Sequence, residues 1–223
     1  MYDNIQELEQ ALLACKECEL NSAYNLGATA YNGLATAKLM LVGEGPGQVE
    51  DEYGVPLVGP SGQLLDKALK SVGITRDCIY TTNVVKCRPR GNRTPTIQEG
   101  TVCADRWLVR EIELVKPSVI VALGSVALKY LKDESARITK DRGNWFTSKQ
   151  GIPCIATFHP AYLLRLNGKQ LVEAKWQVYY DLKAAVDKVA ELNPDYVFGH
   201  EQIANLLELY ADRKNMRAQS KQG

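Results

Sequence analysis

The sequence of 223 residues lacks any apolar run close to the about 20 residues that a membrane-spanning helix needs, so we expect no contact with a membrane. Its first residues, MYDNIQELEQ, are acidic and polar and do not resemble a signal peptide, which favours a cytoplasmic protein. The chain also lacks net charge, because 27 Lys and Arg residues oppose 26 Asp and Glu residues. This balance argues against a uniformly basic nucleic-acid binder but leaves local basic patches open.

Other features are present in informative amounts. Hydrophobic residues make up 45% of the chain, which is enough to bury a core and excludes disorder throughout. The length suits one domain, or one domain with an appendage. Six cysteines would suggest disulfides in a secreted protein, but the spacing Cys15-Lys-Glu-Cys18 in a reducing compartment indicates metal or redox chemistry.

Strand and helix patterns alternate along the chain. Short apolar runs predict strands at residues 38–43, 78–85, 118–123 and 153–158. Helical spacing or capping signals predict helices at residues 3–14, 61–72, 96–116, 126–131, 173–192 and 200–218. The alternation predicts an α/β domain with a mainly parallel sheet.

Polar loops follow three of the predicted strands, at residues 43–60, 86–95 and 159–165. Ligands of parallel α/β sheets bind outside the carboxyl ends of the strands. We therefore expect these three loops to converge and to form the active site.

Four of the cysteines are available for one site: Cys15, Cys18, Cys87 and Cys103. Such a set suits zinc or an iron–sulfur cluster, although unrelated cysteines would give the same spacing. Cys78 and Cys154 lie in or beside predicted strands and are expected to be small core residues.

Four motifs in order make the chain recognisable. They are GEGPG at 43–47 with GVPLVG at 54–59 and GQLL at 62–65, TNVVKCRP at 82–89 with GNRTP at 91–95, LGS at 123–125, and HPAYLLR at 159–165. Together with the cysteines, they resemble the family-4 uracil-DNA glycosylases, the type that carries an iron–sulfur cluster. The resemblance covers about residues 1–190.

The resemblance implies a three-layer α/β/α sandwich around a central, mainly parallel four-stranded sheet. The glycosylase-like domain would span residues 1–192, and residues 193–223 would form a C-terminal helical extension or tail. The family's cluster implies a 4Fe–4S group on Cys15, Cys18, Cys87 and Cys103.

The implied function is DNA repair by a monomer. The protein would flip uracil out of single- or double-stranded DNA and hydrolyse its N-glycosidic bond, leaving an abasic site without a lyase step.

Three residues match the family's catalytic positions. The Asn83 amide offers a donor and an acceptor that suit uracil O4 and N3–H, whereas cytosine presents the reverse pattern. His159 would stabilise the negative charge that develops on the leaving uracil, largely at O2. Glu44 would orient the attacking water or stabilise the sugar cation, and the sequence leaves both roles open.

Other residues are predicted to surround the base. Gly45 and Gly47, with Pro46 between them, would let the backbone approach it closely. The region of Glu50 would exclude the thymine methyl group. Leu57 stands where the family usually has a stacking phenylalanine, and base–aromatic stacking contributes about 1–3 kcal/mol.

The remaining predicted contacts are to DNA. Lys86, Arg88 and Arg93 would face phosphates, in a stretch that also contains Arg90 and no acidic residue. Ser125 would bind a further phosphate at a helix N-terminus. In the loop after His159, Leu163 and Arg165 would enter the space left by the flipped base, while Tyr162 and Leu164 would belong to the core.

Two other functions are consistent with the same sequence. Leu57 favours either a DNA-binding protein that has lost turnover or a glycosylase with altered base specificity.

The C-terminal extension carries apolar residues at Ile203, Leu206, Leu207 and Tyr210, and basic residues at Arg213, Lys214, Arg217 and Lys221. These would pack on the domain, meet a partner or touch DNA.

Overall fold

The computed structural model describes residues 2–22, 24–199 and 206–219. Ile203 and Lys221, two of the residues predicted to matter in the extension, lie outside these ranges. No helix of the described residues is long and apolar enough to cross a membrane.

The described residues form one mixed sheet of six strands. The strands are β1 (Asn32–Gly33), β2 (Leu39–Gly43), β3 (Tyr80–Asn83), β4 (Val119–Leu123), β5 (Trp145–Thr147) and β6 (Pro153–Thr157). They lie in the order β1-β3-β2-β4-β6-β5. The four predicted strands form the parallel centre, and β1 and β5 pair antiparallel at the two edges. The prediction of four strands missed these edges, because neither short strand has an apolar run.

Helices cover both faces of the sheet. They are α1 (Ile5–Leu13), α2 (Gln48–Tyr53), α3 (Pro60–Ser71), α4 (Ile97–Arg106), α5 (Leu108–Val115), α6 (Gly124–Leu131), α7 (Ile138–Asp141), α8 (Pro160–Leu163), α9 (Gly168–Leu192), α10 (Leu206–Leu209) and α11 (Ala211–Gln219). This arrangement confirms the three-layer α/β/α sandwich. The predicted capping box of Thr96 and Glu99 begins α4. The single helix predicted for residues 96–116 is divided at Trp107, which is 2% exposed and has φ −114° and ψ −54°.

The strands are apolar because both of their faces are buried. Met40 and Val42 pack with α1, α4, α5 and α6 on one side of the sheet, and Leu39 and Leu41 pack with α3 and α9 on the other. Continuous apolar runs are typical of such central parallel strands. Cys78 and Cys154 are buried, as predicted.

A third, smaller cluster brings the end of the chain to the domain. Leu206 of α10 packs with Val55 and Val58, which lie between α2 and α3. The division of the chain at residue 192 stays a prediction.

Candidate active site

The three predicted loops converge on one cleft of about 430 Å³ at the carboxyl edge of the sheet. The residues that line it are Glu44, Gly45, Pro46, Gly47, Glu50, Leu57, Ser61, Pro89, Asn92, Arg93, Thr94, Pro95, His159, Ala161, Tyr162 and Arg165. Each loop contributes because β2, β3 and β6 run parallel and end at the same edge.

Asn83 ends β3 and is 2% exposed. It is paired in register with Gly43, and a Cβ at Gly43 would collide with the Asn83 Oδ1 atom. Asn83 is not among the lining residues, but Glu44 follows Gly43 directly into the cleft. Neither Asn83 Oδ1 nor Nδ2 has a hydrogen-bond partner in the described part of the chain. A buried amide whose oxygen and nitrogen are both unpaired lowers the stability of the fold. A ligand that supplies one hydrogen-bond donor and one acceptor would satisfy both atoms.

His159 caps the short helix α8 and lines the cleft. Its Nδ1 atom accepts a hydrogen bond of 3.1 Å from the Ala161 N–H, so the ring proton of the neutral form resides on Nε2. Burial, with a smaller effect from Arg165, lowers the pKa of His159 to about 4. The imidazole is therefore neutral at physiological pH and has one N–H to donate.

Gly124 leaves space for this histidine. A Cβ at Gly124 would lie 2.9 Å from the Cβ of His159, and the glycine has φ +87°. Its place at the start of α6 therefore favours a residue without a side chain.

Glu44 faces the same cleft. Burial raises its pKa, while a hydrogen bond with Thr94 and the charge of Arg165 act in the opposite direction. Its carboxyl group therefore lies in a partly desolvated position beside an arginine, where a nearby cation or bound water would interact strongly.

The glycine-rich loop is closely packed. A Cβ at Gly45 would lie 2.6 Å from Val85 Cγ2, and one at Gly47 would lie 2.8 Å from Glu50 Oε2. Glu50 accepts hydrogen bonds from the backbone N–H of Gly47, at 3.2 Å, and of Gly59, at 2.8 Å. Glu50 thus holds together two segments that line or support the cleft, and Pro46 lines it between the two glycines.

Leu57 also lines the cleft and has an unusual backbone, with φ +55°. Its carbonyl oxygen accepts a hydrogen bond of 2.8 Å from the buried Arg76 guanidinium. A Cβ at Gly62 would overlap that same carbonyl group. Arg76 and Gly62 therefore fix the backbone of Leu57, whose side chain is 5% exposed and packs with α3 and α9, and its contact with a base stays a prediction.

Lys86 corrects a prediction. Its side chain is 1% exposed, and its Nζ atom lies 2.6 Å from Glu111 Oε2 and also contacts Thr82. A lysine enclosed in this way does not reach a phosphate, so the predicted DNA contact of Lys86 is wrong.

Three other basic residues of the prediction are at least partly exposed. Arg88 is half-buried, and its Nε donates to Asn92 Oδ1 at 2.6 Å. The exposed Arg93 forms a two-pronged pair with Glu99 at 2.6 and 2.8 Å, and Arg165 is exposed at the mouth of the cleft. Of these three residues, Arg93 and Arg165 line the cleft.

Ser125 lies at the start of α6 and is exposed. It lines a neighbouring cleft of about 340 Å³ that shares Glu44, Thr94 and Pro95 with the main cleft. Its predicted role as a phosphate contact is consistent with this position.

Leu163 corrects a second prediction. It is 5% exposed and belongs to the core beside α3 and α9, whereas Leu164 is 52% exposed and Tyr162 39%. The short helix α8 turns Leu163 inward, so the apolar side chains offered to DNA by this loop are those of Tyr162 and Leu164. The prediction had these residues reversed.

The four cysteines predicted to act together line one small cavity with the apolar residues Leu12, Leu20 and Trp107: Cys15, Cys18, Cys87 and Cys103. The backbone N–H of Lys86 already donates to Cys103 Sγ, at 3.3 Å. Burial raises the pKa of Cys103 to about 11 and that of Cys87 further, so these thiols would lose their protons only to a metal. No three His, Cys, Asp or Glu side chains of the described residues are arranged to hold a single metal ion. Four thiols around one apolar cavity fit the donor set of an iron–sulfur cluster.

Sequence reasoning missed three residues that organise the site. Glu111 neutralises Lys86, Arg76 holds Leu57, and Thr94 hydrogen-bonds Glu44. Glu111 carried one available signal, a charged residue within the largely apolar segment LVREIELV at 108–115, whereas Arg76 stands between Thr75 and Asp77 and carried none. Thr94 lies in the quoted GNRTP motif, but its contact with Glu44 has no sequence signal.

A sequence profile described as the uracil DNA glycosylase superfamily matches residues 30–183. The chain belongs to the uracil DNA glycosylase superfamily. This membership confirms the resemblance drawn from the four motifs. The helices α10 and α11 of this member of the superfamily lie beyond the matched residues.

Several type-4 uracil-DNA glycosylases are similar to the chain. The enzyme of Thermotoga maritima is 44% identical over 161 residues, which cover 70% of this chain and 81% of the relative. That of Sulfurisphaera tokodaii is 37% identical over 170 residues, covering 73% and 76%. That of Archaeoglobus fulgidus is 34% identical over 169 residues, covering 73% and 84%.

Proposed function

We propose that this chain is a monofunctional uracil-DNA glycosylase, which hydrolyses the bond between uracil and deoxyribose and leaves an abasic site in DNA. The observation that carries the proposal is the buried, unpaired amide of Asn83 next to the cleft that holds His159 and Glu44. Membership of the superfamily supports the reaction class.

Asn83 reads the flipped base. Its Nδ2 donates to uracil O4 and its Oδ1 accepts from N3–H, which satisfies both unpaired atoms at once. Cytosine carries an amino donor where uracil has O4, and its N3 has no proton. The Asn83 amide would therefore place a donor against a donor and an acceptor against an acceptor. A buried hydrogen-bonding site of this kind rejects a mismatched base strongly.

His159 stabilises the leaving group. As the glycosidic bond lengthens, its electron pair moves onto uracil and negative charge develops at O2. The neutral ring donates a hydrogen bond to O2 from Nε2, since Nδ1 is occupied by the Ala161 N–H.

Glu44 completes the reaction on the sugar side. Its carboxylate either stabilises the positive charge at C1′ or orients the water that attacks it, and the water's proton passes to solvent or to this carboxylate. Arg165 and Thr94 favour the ionised form against the effect of burial.

A 4Fe–4S cluster would be held by Cys15, Cys18, Cys87 and Cys103. When bound, it would supply a covalent tie between the N-terminal segment, the loop after β3 and α4, with redox chemistry as a second capability. The four thiols and the apolar cavity support a metal centre here, and the family resemblance favours the cluster over a single zinc ion.

DNA is held by Arg93 and Arg165, which are exposed and line the cleft, and by the half-buried Arg88, with Ser125 beside them. The substrate is single- or double-stranded DNA, and the acting unit is a monomer. A cytoplasmic location stays a prediction from the polar N-terminus.

The direct test is incubation with an oligonucleotide that contains one uracil, followed by alkali, which cleaves abasic sites. We expect cleavage at uracil only after alkali. His159→Ala and Asn83→Ala should each lower uracil release by about 10²–10³-fold while the visible absorption of the purified protein is retained. Binding to uracil-DNA without any base release by the unaltered chain would instead indicate a non-catalytic DNA-binding protein.

Leu57 motivates a second candidate, a glycosylase of altered base specificity, because it lines the cleft where the family usually has a stacking ring. Release from uracil, hypoxanthine and 5-hydroxymethyluracil substrates separates the two candidates. If stacking limits the reaction, Leu57→Phe should raise uracil release by about 5-fold, and by about 150-fold at most, since stacking contributes about 1–3 kcal/mol. An unchanged rate would contradict that explanation.

A further inference from the structure

The C-terminal helices contact the segment that forms one wall of the cleft. Leu206 packs against Val55 and Val58, and the Tyr210 hydroxyl donates a hydrogen bond of 3.0 Å to Asn32 Oδ1. These helices lie outside residues 30–183, the part of the chain that the superfamily profile matches. The contact is therefore an addition to the matched domain.

Arg217 of α11 makes the most polar contacts of this addition. Its Nε donates to the Asp51 carbonyl oxygen at 3.0 Å, its Nη1 to that of Ala28 at 2.8 Å, and its Nη2 to that of Gly27 at 3.2 Å. Its guanidinium also lies 3.7 Å from the Asp51 carboxylate, and the side chain is 12% exposed. A buried arginine that satisfies three backbone carbonyls fixes the segments that carry them.

The arginine lies where α2 ends. Gly54 has φ +69° and its N–H closes α2 by donating to the Glu50 carbonyl oxygen at 2.8 Å. A Cβ at Gly54 would lie 2.8 Å from Arg217 Cδ, so the arginine packs directly on this glycine. The chain continues from here to Leu57 in the cleft.

The same short helix organises the cleft wall from its other side. Glu50 of α2 holds the backbone of Gly47 and Gly59, and all of these residues precede or surround Leu57. A shift of α2 would therefore move the residues that enclose the base.

We propose that Arg217 is a positioning residue for the uracil pocket, which it supports by fixing α2 and Gly54 from behind. This inference rests on the proposed glycosylase function. It assigns part of the substrate affinity to a residue that touches neither base nor DNA.

Arg213, on the same helix, provides a matched control. Its Nη2 atom lies 2.6 Å from Glu9 Oε1 of α1. Among the described residues, no hydrogen bond or ion pair joins Arg213 to α2. Arg213→Gln removes an ion pair between α11 and α1, whereas Arg217→Gln removes hydrogen bonds from α11 to the backbone of Asp51, Ala28 and Gly27 and leaves the Lys214–Glu52 pair between α11 and α2 in place.

The experiment compares the two full-length variants with the unaltered chain by two readouts. Deuterium uptake of peptides covering residues 48–59 reports how well the backbone of the cleft wall is protected from exchange. The inhibition constant of free uracil reports the affinity of the base pocket in the absence of DNA contacts. For Arg217→Gln we expect faster uptake, and a rise of about 3- to 10-fold in the uracil inhibition constant and in KM, with kcat changed less than about twofold. For Arg213→Gln we expect neither change.

Unchanged uptake in Arg217→Gln would overturn the proposal, and so would faster uptake with an unchanged uracil inhibition constant. An equal effect of Arg213→Gln would also overturn it, because the cause would then be general loosening of α11. If Arg217→Gln does not fold, Arg217→Lys keeps the charge and should give the same changes at smaller size. Absence of uracil release by the unaltered chain would overturn the proposed function instead, and deuterium uptake would still decide the attachment.

Discussion

Lys86 and Arg93 belong to one basic stretch, and each pairs with a glutamate at 2.6 Å, yet their surroundings differ completely. The Lys86–Glu111 pair is 1% exposed on both sides, whereas the Arg93 side chain is 47% exposed and Glu99 19%. The inner pair is enclosed in the fold, and the Arg93 side chain of the outer pair is accessible at the cleft. Burial, rather than the distance between the paired atoms, therefore decides whether a cation is available to a ligand.

The largest expected effect concerns the inner pair. Glu111→Ala leaves the Lys86 ammonium buried without a counter-charge and should lower the free energy of unfolding by about 3–5 kcal/mol. Chemical denaturation measures this loss. Arg93→Ala, which breaks the pair at the rim and leaves the Glu99 cap of α4 in place, should cost less than about 1 kcal/mol. Equal costs for the two variants would show that the pairs do not differ as described.

The next expected effect concerns Asn83, beside the cleft, and separates activity from stability. Asn83→Ala should lower kcat/KM on uracil-DNA by about 10²–10³-fold, as when one preorganised donor is lost. The free energy of unfolding should stay the same or rise, because two unpaired buried polar atoms are removed. Steady-state kinetics and denaturation of the same preparation measure both quantities. A large loss of stability would mean that Asn83 supports the fold rather than the base.

A smaller effect depends on pH. The pKa of His159 is lowered from 6.5 to about 4 in the folded chain, so the unfolded chain binds more protons between these values. The stability that His159 contributes is therefore fully present above about pH 6.5 and declines as the pH falls towards 4. Denaturation at several pH values should show a shallower dependence for His159→Gln. An NMR titration of His159 with a midpoint near 6.5 would contradict the expected desolvation.

The smallest effect concerns the rim. Arg93→Ala should change the free energy of unfolding by less than about 1 kcal/mol, and should reduce the slope of log affinity for DNA against log salt by about 0.7–0.9. Arg110, which pairs with Glu113 on the exposed side of α5, is the matched control and should leave the slope unchanged. An unaltered slope in Arg93→Ala would remove this residue from the DNA contact.

Much of the site could be predicted because local pattern and order along the chain determine it. His159 follows the predicted strand at residues 153–158, whereas Asn83 lies inside the predicted strand at residues 78–85 and is identified through the family motif TNVVKCRP. Parallel strands bring the ends of β3 and β6 to one edge. The cysteine pair Cys15 and Cys18 is visible as a motif. What the sequence could not show are contacts between distant segments, such as the approach of Glu111 to Lys86 that turns a presumed DNA contact into a buried pair.

Two further misses have a local cause. Whether Leu163 or Leu164 faces the solvent depends on the single turn of the short helix α8. A shift of one residue in where this turn begins would exchange the buried and the exposed leucine. The edge strand β1, Asn32–Gly33, is formed by pairing with Tyr80 and Thr81 rather than by its own side chains. The contacts of Arg217 also have no sequence signal, because its partners are backbone carbonyls.

The support of Leu57 by Arg76 and Gly62 has a consequence for the adaptability of the enzyme. The Leu57 carbonyl is held by Arg76 and lies where a Cβ at Gly62 would overlap it, while the Leu57 side chain is 5% exposed and packs in the core beside α3 and α9. The same residue therefore belongs both to the cleft lining and to the core. A substitution at position 57 changes the packing on this face of the sheet together with the surface offered to a base, so divergence or engineering of base preference at this position is coupled to the stability of the domain.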